Sequence, residues 1–308
     1  MRVLLAGASG AIGTPLARQL RAAGHHVVGI TRSPANAERL RNAGAEPVVA
    51  DALDRAGLLA AVRGIRADAV VHQLTNLGTK NLLAAGKGTN AVRTVGTANL
   101  LAAARAVGAH RFLTQSIIFV YGYRDHGSHV LTEDDPLAEP PRGYVGPVIR
   151  ALRSNEEQVF TADDIEGVAL RYGMFYGRDS FTRMIVNLVR KRRLPVPSSG
   201  GGFTGLIYLD DAAAATVAAL DKGRAGQAYN IVDDEPVRWA DFLDTVAAEL
   251  GVRRPIRVPA WLPRAVLYAG MLMTSSFRVS NAKAKRELAW SPTVASYRDG
   301  VRLIATAG

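Results

Sequence analysis

Val3-Leu4-Leu5-Ala6-Gly7-Ala8-Ser9-Gly10-Ala11-Ile12-Gly13 decides the fold. The apolar run Val3 to Ala6 has no polar alternation, so it reads as a strand buried on both faces. Glycines at 7, 10 and 13 follow as G-x-x-G-x-x-G. Ile12, Leu16 and Leu20 then recur at helical spacing as far as Gly24. A strand, a glycine turn and a helix in this order suit a phosphate group. One glycine makes the tight turn, one admits a pyrophosphate to the backbone, and one lets helix pack on strand. The helix N-terminus faces the negative charge. Gly7, Ser9, Gly10, Ala11, Ile12 and Gly13 are therefore the expected cradle of a nucleotide cofactor.

The same alternation continues outward. Strands are expected at Val27–Ile30, Pro47–Ala50, Ala69–His72 and from Phe112, with later ones at Val168–Arg171 and Ala228–Ile231. Helices are expected at Ala35–Asn42, Leu53–Val62 and Ala91–Val107. This order predicts an α/β chain with a Rossmann doubly wound parallel sheet. Residues 121–146 read as a long functional loop and 195–205 as a cluster of breakers. We expect a cofactor domain of 1–175 plus 206–235. The smaller, discontinuous C-terminal substrate-binding domain takes 176–205 plus 236–308.

Composition narrows the classes. The 308 residues hold no cysteine, which excludes disulfides, thiolate metal sites and a cysteine nucleophile. No run of apolar residues is long enough for a transmembrane helix. A strand begins almost at Met1, so no signal peptide is expected and the cytoplasm is the expected location. The net charge is +11. Its densest cluster, Arg190-Lys191-Arg192-Arg193, ends an apolar helical stretch, where cations suit the helix dipole. No aromatics interleave it, so no nucleic-acid partner is expected. Asp125, His126 and His129 resemble a metal cluster only loosely, and no metal is expected.

Cofactor choice is read at the end of the second strand. Thr31-Arg32-Ser33 offers no carboxylate to the ribose hydroxyls. Arg32 can pair with a 2′-phosphate and Ser33 can donate to it, so NADP(H) is favoured over NAD(H). The plainer alternative is that Arg32 is an exposed loop arginine. Asp51, beside Ala52, is placed either to accept from the adenine amino group or to cap the next helix.

With these residues, the chain resembles the extended short-chain dehydrogenases/reductases, the class that contains the nucleotide-sugar epimerases. Asp68-Ala69-Val70-Val71-His72-Gln73-Leu74, Gly96-Thr97-Ala98-Asn99-Leu100-Leu101, Leu170 to Gly177, Tyr208-Leu209-Asp210-Asp211 and Lys285 to Trp290 carry the likeness over nearly the whole length. It implies cofactor contacts at Asp51, Ala52, His72, Gln73, Leu74 and Thr75, and at Tyr172, Gly173, Met174 and Phe175 beside the nicotinamide. It implies a monomer, or a homodimer formed through helices near 91–107 and 148–162.

The family's catalytic serine, tyrosine and lysine are missing. Aligning Val120-Tyr121-Gly122 puts Ile117 at the serine place and Ser116 one residue early, on the opposite strand face. Gln115 or Ser116 is expected to meet nicotinamide or a substrate carbonyl. Tyr144 is followed four residues later by Val148, not lysine. Anchoring on Glu157 puts Ile149 and Arg153 at the tyrosine and lysine places. Arg153 can hold a ribose but keeps its proton. Ser116 and Tyr144 remain the candidate catalytic residues, with Tyr144 the best surviving donor. His72 reads as cofactor-lining or structural before it reads as an acid.

A reductase that lacks a proton relay resembles the atypical ketoreductases of this family that act on angucyclinone-type ketones. There the substrate supplies its own acid. Trp261, Leu262, Leu267, Tyr268, Met271, Met273, Phe175 and Phe203 suit either a pocket for an apolar, aromatic small molecule or ordinary core. NADPH-dependent reduction of an aromatic polyketide-like ketone is the leading expectation. A nucleotide-sugar epimerase or dehydratase and a catalytically silent NADP(H) sensor are the rivals.

Overall fold

Seven strands form the central sheet of the computed structural model, which describes residues 1–76, 82–259, 261–264, 267–294 and 296–305. They are β1 (Arg2–Ala6), β2 (His26–Thr31), β3 (Glu46–Val49), β4 (Ala69–His72), β5 (Arg111–Ile117), β6 (Glu166–Tyr172) and β7 (Gln227–Ile231). Their spatial order is β7-β6-β5-β4-β1-β2-β3. Val3 pairs in parallel with Val27 of β2 on one side and Ala69 of β4 on the other. The order reverses at β1, so the crevice beyond the ends of β1 and β4 is where such sheets take ligands.

Helices cover the sheet because the connections demand it: parallel neighbours need a crossover. α1 (Gly13–Ala22) buries Leu16, Ala17 and Leu20. α2 (Pro34–Asn42) follows β2, and α3 (Arg55–Ala61) follows β3. Asp54, not Asp51, caps α3, its carboxylate accepting from Gly57 N–H at 3.0 Å. Leu4, Val28, Val70 and Phe112 of the sheet meet Leu58, Leu100 and Val107 of the helices in one core. Each such side chain contributes about 1.5–3 kcal/mol by leaving water.

The helix expected over 91–107 is longer and interrupted. α4 (Leu82–Ala91) runs into a π-turn, Val92–Gly96, and then α5 (Thr97–Val107). Inside this turn Thr94 Oγ1 donates to the Asn90 and Ala91 carbonyls. Competing bonds of this kind within a helix leave no trace in the apolar period. A buried chain of hydrogen bonds then runs from Thr114 of β5 to Asn155 on α6 (Gly146–Phe160), from Asn155 to Thr97, and from Thr97 to the Arg93 carbonyl, at 2.9, 2.8 and 2.8 Å.

The chain divides into two compact units. The first is Met1–Val120, Leu137–Arg171 and Ala213–Tyr229. The second is Tyr121–Pro136, Tyr172–Ala212 and Asn230–Gly308. Residues 121–136, expected with the cofactor domain, belong to the second unit. Within the expected loop 121–146, Asp125–Leu131 is a strand, paired in parallel with Ser276–Val279. Its sequence, DHGSHVL, has no apolar alternation, so only the pairing reveals it. The second unit's core gathers Val189 of α7 (Ser180–Arg190) and, beyond α8 (Leu209–Lys222), Trp239, Phe242 and Val246 of α9 (Trp239–Glu249), with Val301 of the helix Tyr297–Ala305.

Candidate active site

The glycine turn is built for close approach. Gly7 has φ +91°, and Gly10 N–H donates to its carbonyl at 2.9 Å. A β-carbon on Gly13 would lie 2.0 Å from that same oxygen. Ser9, Gly10 and Ala11 form the exposed tip, while Ile12 and Gly13 are buried beneath it. Ile12 is the N-cap of α1 and gives no side-chain capping bond, and the first turn holds no acid. The N–H groups of that end therefore suit an anion.

At the end of β2, Thr31 is buried and Arg32 is exposed. Arg32 Nη2 reaches Asn76 Oδ1 at 3.4 Å. Ser33 is the N-cap of α2 yet makes no side-chain capping bond. A guanidinium and a hydroxyl thus stand together at a helix N-terminus, which suits a phosphate. Asp51 accepts from Leu53 N–H at 2.9 Å, a turn bond rather than a cap. Buried Asn99 donates to the Ala52 carbonyl at 2.8 Å, so α5 holds the Asp51–Ala52 segment in place.

At the end of β4, Gln73 N–H donates to the Ala6 carbonyl at 2.9 Å, which lays Gln73, Leu74 and Thr75 alongside the glycine turn. His72 is 1% exposed and its Nδ1 accepts from Leu74 N–H at 3.2 Å. Burial pushes its imidazole down to about 4, and the Val92 carbonyl only partly offsets this. His72 is therefore neutral near pH 7 and holds the turn after β4 instead of acting as an acid. A depressed histidine contributes stability above its unfolded pKa of about 6.5, and the contribution is lost as pH falls towards 4. Acidification from pH 7 to pH 4 should cost about 3 kcal/mol through this residue. Urea titrations of the wild type and His72→Gln at both pH values measure it. Equal acid sensitivity in the two proteins would contradict the assignment.

Gln115 and Ser116 end β5, and Gln115 Oε1 and Ser116 Oγ are buried without a hydrogen-bond partner among the described residues. Such groups cost about 1–3 kcal/mol each unless something binds them. Ser116 shares its strand face with Thr114, and Ile117 shares the other with Gln115. With the glycine cradle, these orphaned atoms fit a dinucleotide and its partner.

No tyrosine–lysine pair forms on α6. Ile149 is fully buried. The Arg153 guanidinium donates to the Ala138 carbonyl at 3.1 Å and to Glu139 at 2.6 Å, bonds that holding a ribose would have to replace. Tyr144 lies just before α6 and is 38% exposed. Its hydroxyl would sit 3.5 Å from a β-carbon on Gly86 of α4.

In the second unit, Tyr172 is buried and its ring packs at 5.2 Å on Phe175. Gly173 N–H donates to the Ile231 carbonyl and Met174 N–H to the Gly205 carbonyl, both at 2.9 Å. A β-carbon on Gly173 would lie 2.7 Å from Gly205 O. Behind them Tyr176 donates to Asp233 at 2.8 Å. Burial pushes this carboxyl up to about 8, so it carries its proton near pH 7.

The expected apolar set does not assemble as one lining. Trp261 and Leu262 are exposed, Met273 is buried in the core, and Phe203 lies between the guanidinium groups of Arg238 and Arg278. Among the described residues of the set, Phe175 lines a cavity of the second unit. The side chains of Leu267 and Tyr268 lie outside the described residues. His126 and His129 of the loop bond Gly122 O and Asp135. Among the described residues no group of three acids and histidines is placed to hold a metal, and no helix is long and apolar enough to cross a membrane. Asn76 and Asn99 are the contributors that periodicity does not single out.

Residues 3–232 match the NAD dependent epimerase/dehydratase family. A Streptomyces protein, 3-diazoavenalumate denitrifying reductase, is 39% identical over 98% of this chain and 99% of its own. A Stigmatella aurantiaca protein, 4-hydroxy-2-methyl-3-oxo-4-farnesyl-3,4-dihydroquinoline-1-oxide ketoreductase, is 23% identical over 100% of this chain and 97% of its own. The structure of a human epimerase family protein with NADPH superposes with a TM-score of 0.78 at 21% identity, covering 99% of each chain. With its glycine cradle and its reductase relatives, this chain belongs to the NAD dependent epimerase/dehydratase family and is an NAD(P)-dependent oxidoreductase of the reductase kind.

Proposed function

We propose that the protein is an NADPH-dependent reductase of an apolar, aromatic substrate, to which the chain supplies position but no proton. The carrying observation is the emptied catalytic set: Ile117, Ile149 and Arg153 stand where a serine, a tyrosine and a lysine would act. NADPH, when bound, supplies a hydride ion. Gly7, Gly10 and Gly13 would seat its pyrophosphate, and Arg32 with Ser33 its 2′-phosphate. Gln115 and Ser116 would orient the reacting end by hydrogen bonds, so that catalysis rests on orientation. A ketone of the angucyclinone type, flanked by a phenol or enol, fits this site. Its own hydroxyl shares a proton with the alkoxide that forms, so no side-chain acid is needed.

The 39% identical relative favours a second substrate class. Replacing an aryl diazonium group by hydride forms one C–H bond and releases dinitrogen with the electrons of the C–N bond. It takes no proton either, so the same empty set suits it. Epimerisation is disfavoured because it needs a base at the tyrosine place.

The test is NADPH oxidation against hydroxylated aromatic polyketide ketones, the same ketones methylated on that hydroxyl, an aryl diazonium carboxylate and sugar nucleotides. Turnover of the free hydroxyketone that methylation abolishes supports the ketone reading. Dinitrogen release from the diazonium compound alone moves the substrate to the second class. Tyr144→Phe should keep kcat within about threefold, because a true general acid would cost 10²-fold or more. A hundredfold loss in that variant, or turnover of a sugar nucleotide, would overturn the proposal.

A further inference from the structure

The second unit encloses a cavity of about 350 Å³ beside α7, α9 and the helix Tyr297–Ala305. Its wall includes Trp239, Phe242, Val246 and Val301, all buried. Arg178, Arg183 and Arg190 also line it, and all three are exposed. Arg183 and Arg190 are seven residues apart on α7, so both project from one helix face.

We infer that this cavity is a binding site for an amphipathic organic anion, with an apolar body against Trp239, Phe242 and Val246 and a carboxylate at the arginines. Three cations on the rim of one apolar cavity carry the inference. The guanidinium groups of Arg178, Arg183 and Arg190 have no hydrogen-bond or ion-pair partner among the described residues. Other arginines either pair with acids, as Arg105 with Asp164, Arg171 with Glu156, Arg257 with Asp244 and Arg298 with Glu235, or reach into solvent, so it is the apolar hollow between them that sets these three apart. Of the acids on or beside the cavity's helices, Asp179, Asp244, Glu249 and Asp299 are already engaged. Asp179 caps α7, accepting from Phe181 and Thr182 N–H and from the Thr182 hydroxyl. Glu249, at the end of α9, pairs with Arg302 at 3.5 Å. Three unpaired cations around an apolar hollow leave a place for one acidic head and one greasy body. Arginine suits a carboxylate because its planar fork meets both oxygens. The volume lies at the lower end for ligand pockets, so a single ring or a medium chain fits. All these residues belong to the second unit, so the site needs no group from the first.

The body can be an aryl or an acyl group, and the experiment separates them. Sodium cinnamate and sodium decanoate are titrated into the full chain by calorimetry, beside cinnamyl alcohol and decanol. Saturable binding of either anion, about tenfold or more tighter than its own alcohol, supports the site, and the tighter acid names the body. Arg183→Ala with Arg190→Ala should remove that preference while the alcohols still bind. Val246→Trp should fill the hollow and abolish binding of both acids, with NADPH affinity unchanged. The arginine pair is exposed, so its variant tests the idea even where Val246→Trp does not fold. Equal affinity for acid and alcohol, absence of saturable binding, or anion binding untouched by the arginine pair would overturn it.

Discussion

Arg32→Asp is expected to weaken NADPH binding by roughly a hundredfold or more and to strengthen NADH binding. The reason lies in the charge at one corner of the sheet. Arg32 leaves the end of β2 exposed, tethered only at 3.4 Å to Asn76, and so can turn to a ligand. A charge-assisted hydrogen bond to a phosphate is worth about 1.5–3 kcal/mol, and a factor of ten in affinity corresponds to about 1.4 kcal/mol. Removing the guanidinium forfeits that contact. The new carboxylate then repels a 2′-phosphate but accepts from a ribose hydroxyl, which is the arrangement that selects NAD(H). Fluorescence titration of both reduced cofactors measures the switch. An unchanged ratio of the two affinities would show that Arg32 is an ordinary loop residue, and that nothing here selects the phosphate.

Gly13→Ala should be the more damaging change. The added methyl would stand 2.0 Å from Gly7 O and 2.9 Å from the Ala8 Cα and carbonyl carbon, all backbone atoms that cannot swing aside. The turn must open, and α1 must move off β1. We expect NADPH binding to fall below detection, together with a loss of several kcal/mol of stability from the overpacked contact. Gly24→Ala is the control. Gly24 has φ +84° but open space around it, so alanine there should cost only about 1–2 kcal/mol of backbone strain. Thermal melts with and without NADPH separate the two. Equal, small losses would mean that the turn is softer than its geometry indicates.

The first half of the fold could be read from residues alone. β1, β2, β3, β4 and β5 and the helices α1, α2 and α3 between them follow apolar runs and glycine stops. β1, β2, β4 and β5 are buried on both faces, which is what the pattern reports, while β3 at the sheet's edge is only half-buried. Two features were hidden. The π-turn at Val92–Gly96 arises from local competition of threonine hydroxyls for backbone carbonyls. The strand Asp125–Leu131 exists only because Ser276–Val279 lies beside it. The candidate site divides in the same way. Its glycines and Arg32 stand out as types at a spacing. Asn76 and Asn99 act through single hydrogen bonds, which no period records. The engagement of Arg153 by Glu139 is likewise a matter of where a loop falls, not of sequence distance. Apolar content alone gathered eight tail and loop residues into one expected lining, and those described part company, because apolar character records neither where a side chain packs nor that it is buried at all.

The pairing of Asp125–Leu131 with Ser276–Val279 also sets a schedule for the growing chain. Asp125 meets Ser276, so 151 residues must be added before the earlier strand has its neighbour. At translation speeds of about 5–20 residues per second, that is a wait of roughly 8 to 30 seconds. Five of the central strands, β1 to β5, are complete by residue 117 and need no such delay. The nascent protein therefore carries a largely formed first half while one strand of the other stands open. A bare strand edge invites wrong partners, and charge or sparse apolar content discourages them. Asp-His-Gly-Ser-His-Val-Leu, with five of its seven residues exposed even in the finished fold, is a segment that can wait without sticking.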